Sequence, residues 1–315
     1  MKEGRDTMAD QMHIALLRQG VDAWNHWRDT HPDILPDLKK EDLRGANLIG
    51  ANLQEVDLRE ANLCGADLTR ADLQGADLSF SFCSGTNFSN ANLKGVQVRG
   101  INLQDAYFDE TDLSGVDMSN LDLQGIEFEN TNLDDVDFSG ANLSLAVFDT
   151  ATVRGANFSG ALLTMTNFNG LNMSHVNLNG AHLVGAGLRE ANLHGAQLRG
   201  ANFSKNHPGW TNESGGQPGD ADLRGANLTE ADLFHADLCK ACLLGANFTH
   251  ANLSEADLRG ANLTGSVMSS VPTVFNKTFG KANFRGANLS KADLRGVDLE
   301  GVDLSEAILD GTLFG

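Results

Sequence analysis

Along most of this chain apolar residues return every fifth position. From Leu38 to Phe203 each fifth residue is Leu, Phe, Val, Met or, once, Cys83, with no exception in 34 positions. The residue two before it is usually Ala, and the residue between them is usually Asp or Asn, as in "GADLTRADLQGADL". The beat stops after Phe203, returns at Leu223 and runs to Met268. It then resumes one residue out of phase at Phe284 and reaches Phe314. A helix repeats every 3.6 residues and a strand every 2. Inside each five-residue phrase the period is 2, with Ala in, Asp or Asn out and Leu in. The last two residues, often ending in Gly, suit a corner, because Gly accepts backbone angles that a Cβ forbids. Repeated corners of one sense wind the chain into coils stacked at strand spacing, roughly 4.8 Å. The interior is then a solid column of Leu, Phe and Ala.

This phrase resembles the pentapeptide-repeat family over residues 38–315, apart from two interruptions. The resemblance implies an all-β fold, a right-handed, quadrilateral, parallel β-helix with four phrases to the coil. Positions 20 apart then stack, which places Phe88, Phe108, Phe128, Phe148 and Phe168 on one face as an aromatic spine. The second inward position also grows there, through Val96, Ile101, Thr111, Val116, Leu121, Ile126, Thr131 and Val136.

Residues 1–37 read as a tail and an N-terminal α-helical cap. Ile14, Leu17, Val21 and Trp24 follow 3-4-3 helical spacing, with Trp27 three further on, Asp10 as N-cap, and Pro32 and Pro36 forcing an extended exit. One amphipathic helix over 10–29 is expected to plug the open end of the first coil, which would otherwise present a sticky edge. The solenoid should occupy 38–203, 221–268 and 282–315. The stretch 204–220, "SKNHPGWTNESGGQPGD", reads as a loop bulging between consecutive sides, with Trp210 folding back as a candidate partner contact. Residues 269–281 read as an irregular interruption. No capping helix follows the last coil, so Leu309 and Phe314 are candidate contacts of a homodimer through that coil.

Charge changes the picture. The 315 residues carry a formal net charge of −19, which excludes nucleic acid and anionic membrane as natural partners and favours a basic protein surface. Between Arg99 and Arg154 there are 12 acids and no Lys or Arg. Asp112, Asp117, Asp122, Glu127 and Asp137 occupy the phrase position, where a side chain can bond the corner backbone. Asp105, Asp109, Glu110, Glu129, Asp134, Asp135 and Asp149 are free choices. Asp109, Glu129 and Asp149 fall in one stacked column just outside the Phe spine. Two readings stand: a solvated face that keeps the rod soluble, or an acidic belt to which a partner docks. Weak Ca²⁺ binding by the carboxylates is a third.

Chemistry is sparse. A filled coil leaves no substrate cavity, and the sequence holds no Walker loop, nucleophile elbow or dinucleotide fingerprint. His175, His182 and His194 do not share a side. Cys239 and Cys242 form a lone C-x-x-C, read as outward turn residues rather than a zinc or redox pair. The expectation is no enzyme, no cofactor and no metal. The N-terminus lacks a secretory signal and no apolar run is long enough to span a membrane, so the chain reads as cytoplasmic. The resemblance implies a scaffold that offers flat faces to a protein partner. "AWNHWRD" followed by "LRGANLIGANL" is similar to bacterial, notably cyanobacterial, members. Some members mimic DNA and inhibit or protect a type II topoisomerase, DNA gyrase, which is the alternative.

Overall fold

The computed structural model describes residues 10–204, 220–268 and 282–315. The Asp or Asn of each phrase forms a parallel β-bridge with the residue twenty further on: Asp37 with Asp57, Asp42 with Asn62, Asn47 with Asp67, and Asn52 with Asp72. Four phrases therefore make one coil. Its four sides are numbered 1 to 4 from these four columns. Each side carries one bridging residue between two corners, so each ladder is built of one-residue rungs rather than long strands. At a rung the amide of the central Leu donates upward, as Leu53 does to Asp72 O at 2.7 Å, and the phrase residue donates back, as Asp72 does to Ala51 O at 3.0 Å.

The phrase explains its own geometry. The carboxylate or amide oxygen of the phrase Asp or Asn accepts the amide two residues on, as Asp117 does from Ser119 at 2.9 Å and Asp67 does from Thr69 at 3.0 Å. This bond holds the corner. The next residue adopts the left-handed region, at φ 62° for Gly45 but also φ 53° for Glu110. Asn over Asp relieves stacked charge along the column. Asn132 Nδ2 donates to Asp112 at 3.0 Å, and Asn157 Nδ2 to Asp137 at 2.9 Å.

Inside, the described central residues from Leu38 to Leu294 are buried, while those of the last coil are partly or fully exposed. Burial of each Leu or Phe contributes about 1.5–3 kcal/mol relative to exposure. On side 3, Phe88, Phe108, Phe128, Phe148 and Phe168 lie ring over ring with centroids 4.8–5.7 Å apart. A second pair, Phe138 and Phe158 on side 1, stacks at 5.2 Å and meets the spine edge-on, Phe138 against Phe148 at 90°. Inward hydroxyls are satisfied internally, as Thr111 Oγ1 donates to Phe88 O at 2.8 Å.

The cap contains two helices, not one: α1 (Gln11–Leu17) and α2 (Val21–Thr30). Gly20, at φ 110°, breaks the run, a conformation only glycine adopts without strain. Asp10 caps α1 by accepting the Met12 amide at 2.8 Å. Ile14, Leu17, Trp24 and Trp27 are buried, and Val21 packs half-buried beside them. The helices do what a preceding coil would do for exposed backbone. Trp24 Nε1 donates to Asn52 O at 2.7 Å, and Arg28 to Gln54 O at 2.8 Å. Asn25 takes both Gly50 O and the Asn52 amide. Burial lowers the pKa of Arg28 from its ordinary value, opposed by Glu55.

Pairing across the two interruptions shows how the coils rejoin. His182 pairs with Asn202 as usual, but Gly187 pairs with Asp222, 35 residues on rather than 20. Fifteen extra residues thus sit between two consecutive sides. Further on, Asn247 pairs with Val267 while Asn252 pairs with Asn283, a separation of 31. The 11 extra residues, two phrases and one residue, account for the shift of phase. Trp210, with most of the first interruption and all of the second, lies outside the described residues.

One turn of the ladder is open. Between the coils 93–112 and 113–132 the bridges of sides 1, 2 and 3 are missing: none joins Gln97 to Asp117, Asn102 to Asp122, or Tyr107 to Glu127. Side 4 holds. Leu93 reaches Asp112 O at 3.2 Å and Asp112 reaches Ala91 O at 3.5 Å, against 2.9 and 3.0 Å one coil earlier, and Leu113 to Asn132 O returns to 2.9 Å. The open turn is where Val96 stacks on Val116, Ile101 on Leu121 and Ala106 on Ile126, in an inward position that is Ala in most coils. Extra methylenes in a close-packed column force the backbone apart. A shorter lapse, on side 4 alone, separates Thr152 from Asn172.

Candidate functional site

The outer surface over residues 105–149 is the candidate site, and the phrase chemistry sets its charge. Elsewhere the phrase Asp is often followed two residues on by Arg, whose guanidinium forks back onto it. Arg44 meets Asp42 at 2.7 Å, Arg259 meets Asp257 at 2.6 Å and Arg295 meets Asp293 at 2.6 Å. Those guanidinium bonds hold Asp42 and Asp293 at a pKa of about 2. In the belt the same position is Ser119 after Asp117, Gln124 after Asp122 and Ser139 after Asp137. Asp117 is also held below the usual carboxylate range, by hydrogen bonds from the Ser119 hydroxyl and amide, but no cation neutralises it.

Among the free choices, Asp105, Asp109, Glu110, Glu129, Asp135 and Asp149 are exposed. Asp109 and Asp149 are not bare charges in a repelling column. Asn130 Nδ2 donates to Asp109 at 3.0 Å, and Asn167 Nδ2 reaches Asp149 at 3.4 Å. Interleaved amides temper a repulsion that unpaired carboxylates would feel. Asp134 is half-buried and paired with Arg154 at 2.9 Å, which ties it to the cation at the belt's edge. Asp105, Glu110 and Asp135 occupy left-handed corners at φ 53–59°. Beside the belt, Tyr107 is exposed on side 3, where a shallow cleft also takes in Asp109, Glu127 and Glu129.

The remaining candidates disperse. His175 and His194 meet edge-on at 5.1 Å on side 4, whereas His182 belongs to side 2. No group of three or more metal-binding side chains occurs among the described residues. Cys239 keeps its turn position after Asp237 but is covered there rather than exposed, with Ser204 beside it, and burial pushes its thiol above its ordinary pKa. Cys242 is half-exposed, and both thiols are free. The buried Cys83 thiol is pushed up to about 12. In the last coil Leu309 and Phe314 are exposed, together with Ile308 and Leu313. No helix among the described residues is long and apolar enough to cross a membrane.

Sequence reasoning missed the open turn of the ladder. Its signal, the run of Val, Ile and Leu at the second inward position, was visible only as a thicker core.

Family models describe the same repeat. "Pentapeptide repeats" matches in 8 copies, over residues 42–79, 66–105, 166–204, 219–243, 231–269 and 279–314, and "Pentapeptide repeat region" matches 101–178. Among curated proteins nothing matches the chain. Among solved structures, HetL is a pentapeptide repeat protein involved in heterocyst differentiation regulation from the cyanobacterium Nostoc sp. strain PCC 7120. It is 28% identical, with 83% of this chain and 88% of that chain covered and a TM-score of 0.41. QnrB1, a plasmid-mediated fluoroquinolone resistance protein, is 27% identical over 63% of this chain and 89% of its own, with a TM-score of 0.45. A pentapeptide repeat protein from the Arabidopsis thaliana thylakoid lumen is 28% identical over 42% and 70%, with a TM-score of 0.23.

Proposed function

The chain belongs to the pentapeptide-repeat family, and from that premise we propose that it is a non-enzymatic, right-handed, four-sided scaffold whose acidic outer belt docks a basic protein surface. Proteins of this family are typically structural or interaction proteins, and the filled interior seen here suits that role. One observation carries the reading. None of the phrase acids of residues 105–149 has the arginine two residues on that clasps Asp42, Asp57, Asp222, Asp257 and Asp293, so charge is left free where the repeat has a ready way to neutralise it. An unneutralised belt steers and orients a basic partner over distances up to a Debye length. The cytoplasm is the compartment proposed for it.

Capture from a native lysate tests the belt. Asp109→Asn, Glu129→Gln and Asp149→Asn together should remove the proteins retained by the native chain at low salt. Retention of the same proteins at the same salt refutes the belt.

A second reading, a DNA-mimicking inhibitor or protector of DNA gyrase, is favoured by the overall charge and by the apolar last coil. There Leu309 and Phe314 stand exposed and offer a two-fold contact for a dimer. A supercoiling assay decides it: no effect on gyrase at micromolar protein removes this reading. Sedimentation with Phe314→Glu tests the dimer, which should dissociate.

A further inference from the structure

The open turn between coils 93–112 and 113–132 has the form of a vacant rung. The amides of Val98, Gly100, Leu103, Asp105 and Phe108 find no carbonyl, and neither do those of Asp117, Asp122 and Glu127 on the facing coil. In every other described coil the equivalent positions are joined on at least three sides. Two rows of unsatisfied backbone groups thus face one another across the gap, which is a template for an added chain. The gap is a wedge. It is closed at side 4, and at side 3 the Phe108 and Phe128 rings are 5.7 Å apart, the widest spacing in the spine. Clefts of about 790 Å³ on side 1 and about 610 Å³ on side 2 open from it. On side 1 its walls include Arg59 and Arg99 beside Asp77 and Asp117. On side 2 the charged lining is Asp105 and Asp122 alone, with Ile101 and Ile126 behind them.

We propose that this open turn is a binding groove for an extended, basic segment of a partner protein, which enters on side 2 as an additional rung of the ladder. The proposal rests on the scaffold reading and locates its docking site. An extended backbone presents donors and acceptors on both edges at strand spacing, so it satisfies both walls once the coils part further on side 2, to about twice the usual spacing of roughly 4.8 Å. Its side chains alternate. One set points inward against Ile101, Leu121 and Ile126, where the rungs are already unpaired. The other points outward past Asp105 and Asp122, whose charge selects Lys or Arg. The segment that fits therefore alternates apolar and basic residues. The bulky inward residues already keep the facing rungs unpaired in the absence of the segment, so no ladder hydrogen bond is broken on binding.

The test uses the full chain and a fluorescein-labelled decapeptide of alternating Lys and Val, with the Glu–Val decapeptide as control. Gln104→Cys with Gln124→Cys places thiols on facing coils of side 2, so oxidation staples the groove shut and reduction reopens it. Binding by anisotropy should be at least tenfold weaker in the oxidised than in the reduced form, and absent for the Glu–Val peptide. On binding, the Gly100, Leu103 and Asp105 amides should exchange at least tenfold more slowly. Ile101→Ala with Leu121→Ala and Ile126→Ala, which keeps every acid, should lose the same binding by letting the ladder close. Equal affinity in stapled and reduced forms, protection confined to other coils, or no binding of the Lys–Val peptide overturns the groove. If charge-removing variants lose their partners while the staple changes nothing, the belt stands and the groove falls. If the staple abolishes binding while Asp109→Asn, Glu129→Gln and Asp149→Asn leave the captured proteins unchanged, the groove stands and the belt falls.

Discussion

The coils at 221–268 and those at 93–132 are built from the same phrase and behave differently. In the later coils the second inward residue is Ala throughout 221–261. The phrase Asp at 222 and 257 is clasped by Arg224 and Arg259, and rungs such as Leu233 to Asn252 O close at 2.7 Å. In the middle coils that residue is Val, Ile, Leu or Thr everywhere but Ala106, the clasping arginines are gone, and three rungs are lost in one turn. The central Leu or Phe, the corner and the phrase hydrogen bond are common to both. A solenoid thus tolerates wide variation in its exterior, but its pitch is set by the smaller of its two inward residues. Ala permits coils to approach to hydrogen-bonding distance, and larger residues trade rungs for apolar volume.

The strongest way to break this comparison is to remove the ring at the centre of the spine. Phe128→Ala, between Phe108 and Phe148 and edge-on to Phe138, should destabilise by about 3–5 kcal/mol in urea unfolding. Should it cost less than 1 kcal/mol, the Phe spine is not what compensates the middle coils for their missing rungs. Overpacking a regular coil should reproduce the open turn: Ala231→Ile is expected to lose about 1–3 kcal/mol and to expose the Leu233 and Asp232 amides to exchange. Wild-type exchange there as rapid as at Leu103 would undo the distinction between the two regions. Ile126→Ala should cost less than the roughly 2–5 kcal/mol usual for such a deletion, because closing rungs offset the lost burial. Glu110→Gly should stabilise by about 1 kcal/mol, since Glu110 adopts a left-handed corner that suits glycine.

The pH response is the smallest effect. Asp117 in the middle coils and Asp222 in the later ones have folded pKa values below their unfolded value near 3.9, the first through Ser119 and the second through Arg224. A depressed carboxylate contributes stability that is full above the unfolded pKa and fades as pH falls through the folded one. Melting temperature should therefore be flat above about pH 5 and decline from about pH 4 downward. Asp117→Asn should flatten part of that decline at low salt and at high salt alike, because its cause is a local hydrogen bond. Asp222→Asn should do so more at low salt, where the guanidinium is less screened.

Much of the coil is legible in the sequence because its determinants are local. The phrase Asp or Asn bonds the amide two residues on, the corner follows, and the apolar beat names the interior residue by residue from Leu38. The break at Gly20 was less legible, since α1 and α2 share one continuous 3-4-3 pattern and only the φ of a single glycine separates them. The burial of Cys239 was not legible either, since the thiol meets Ser204, 35 residues away, and no nearby residue announces it. Of the candidate site, the acids and the absence of basic residues could be read directly. Their partners could not, since Asn130, Asn167 and Arg154 reach Asp109, Asp149 and Asp134 across coils.

By itself, then, the sequence determined the five-residue unit, which residues turn inward and the sign of the surface charge, because each is settled within one or two phrases. Tertiary structure alone decided how closely successive coils approach and the place where the ladder parts. Those depend on how the volumes of residues 20 apart add along the axis, a sum that no single phrase contains.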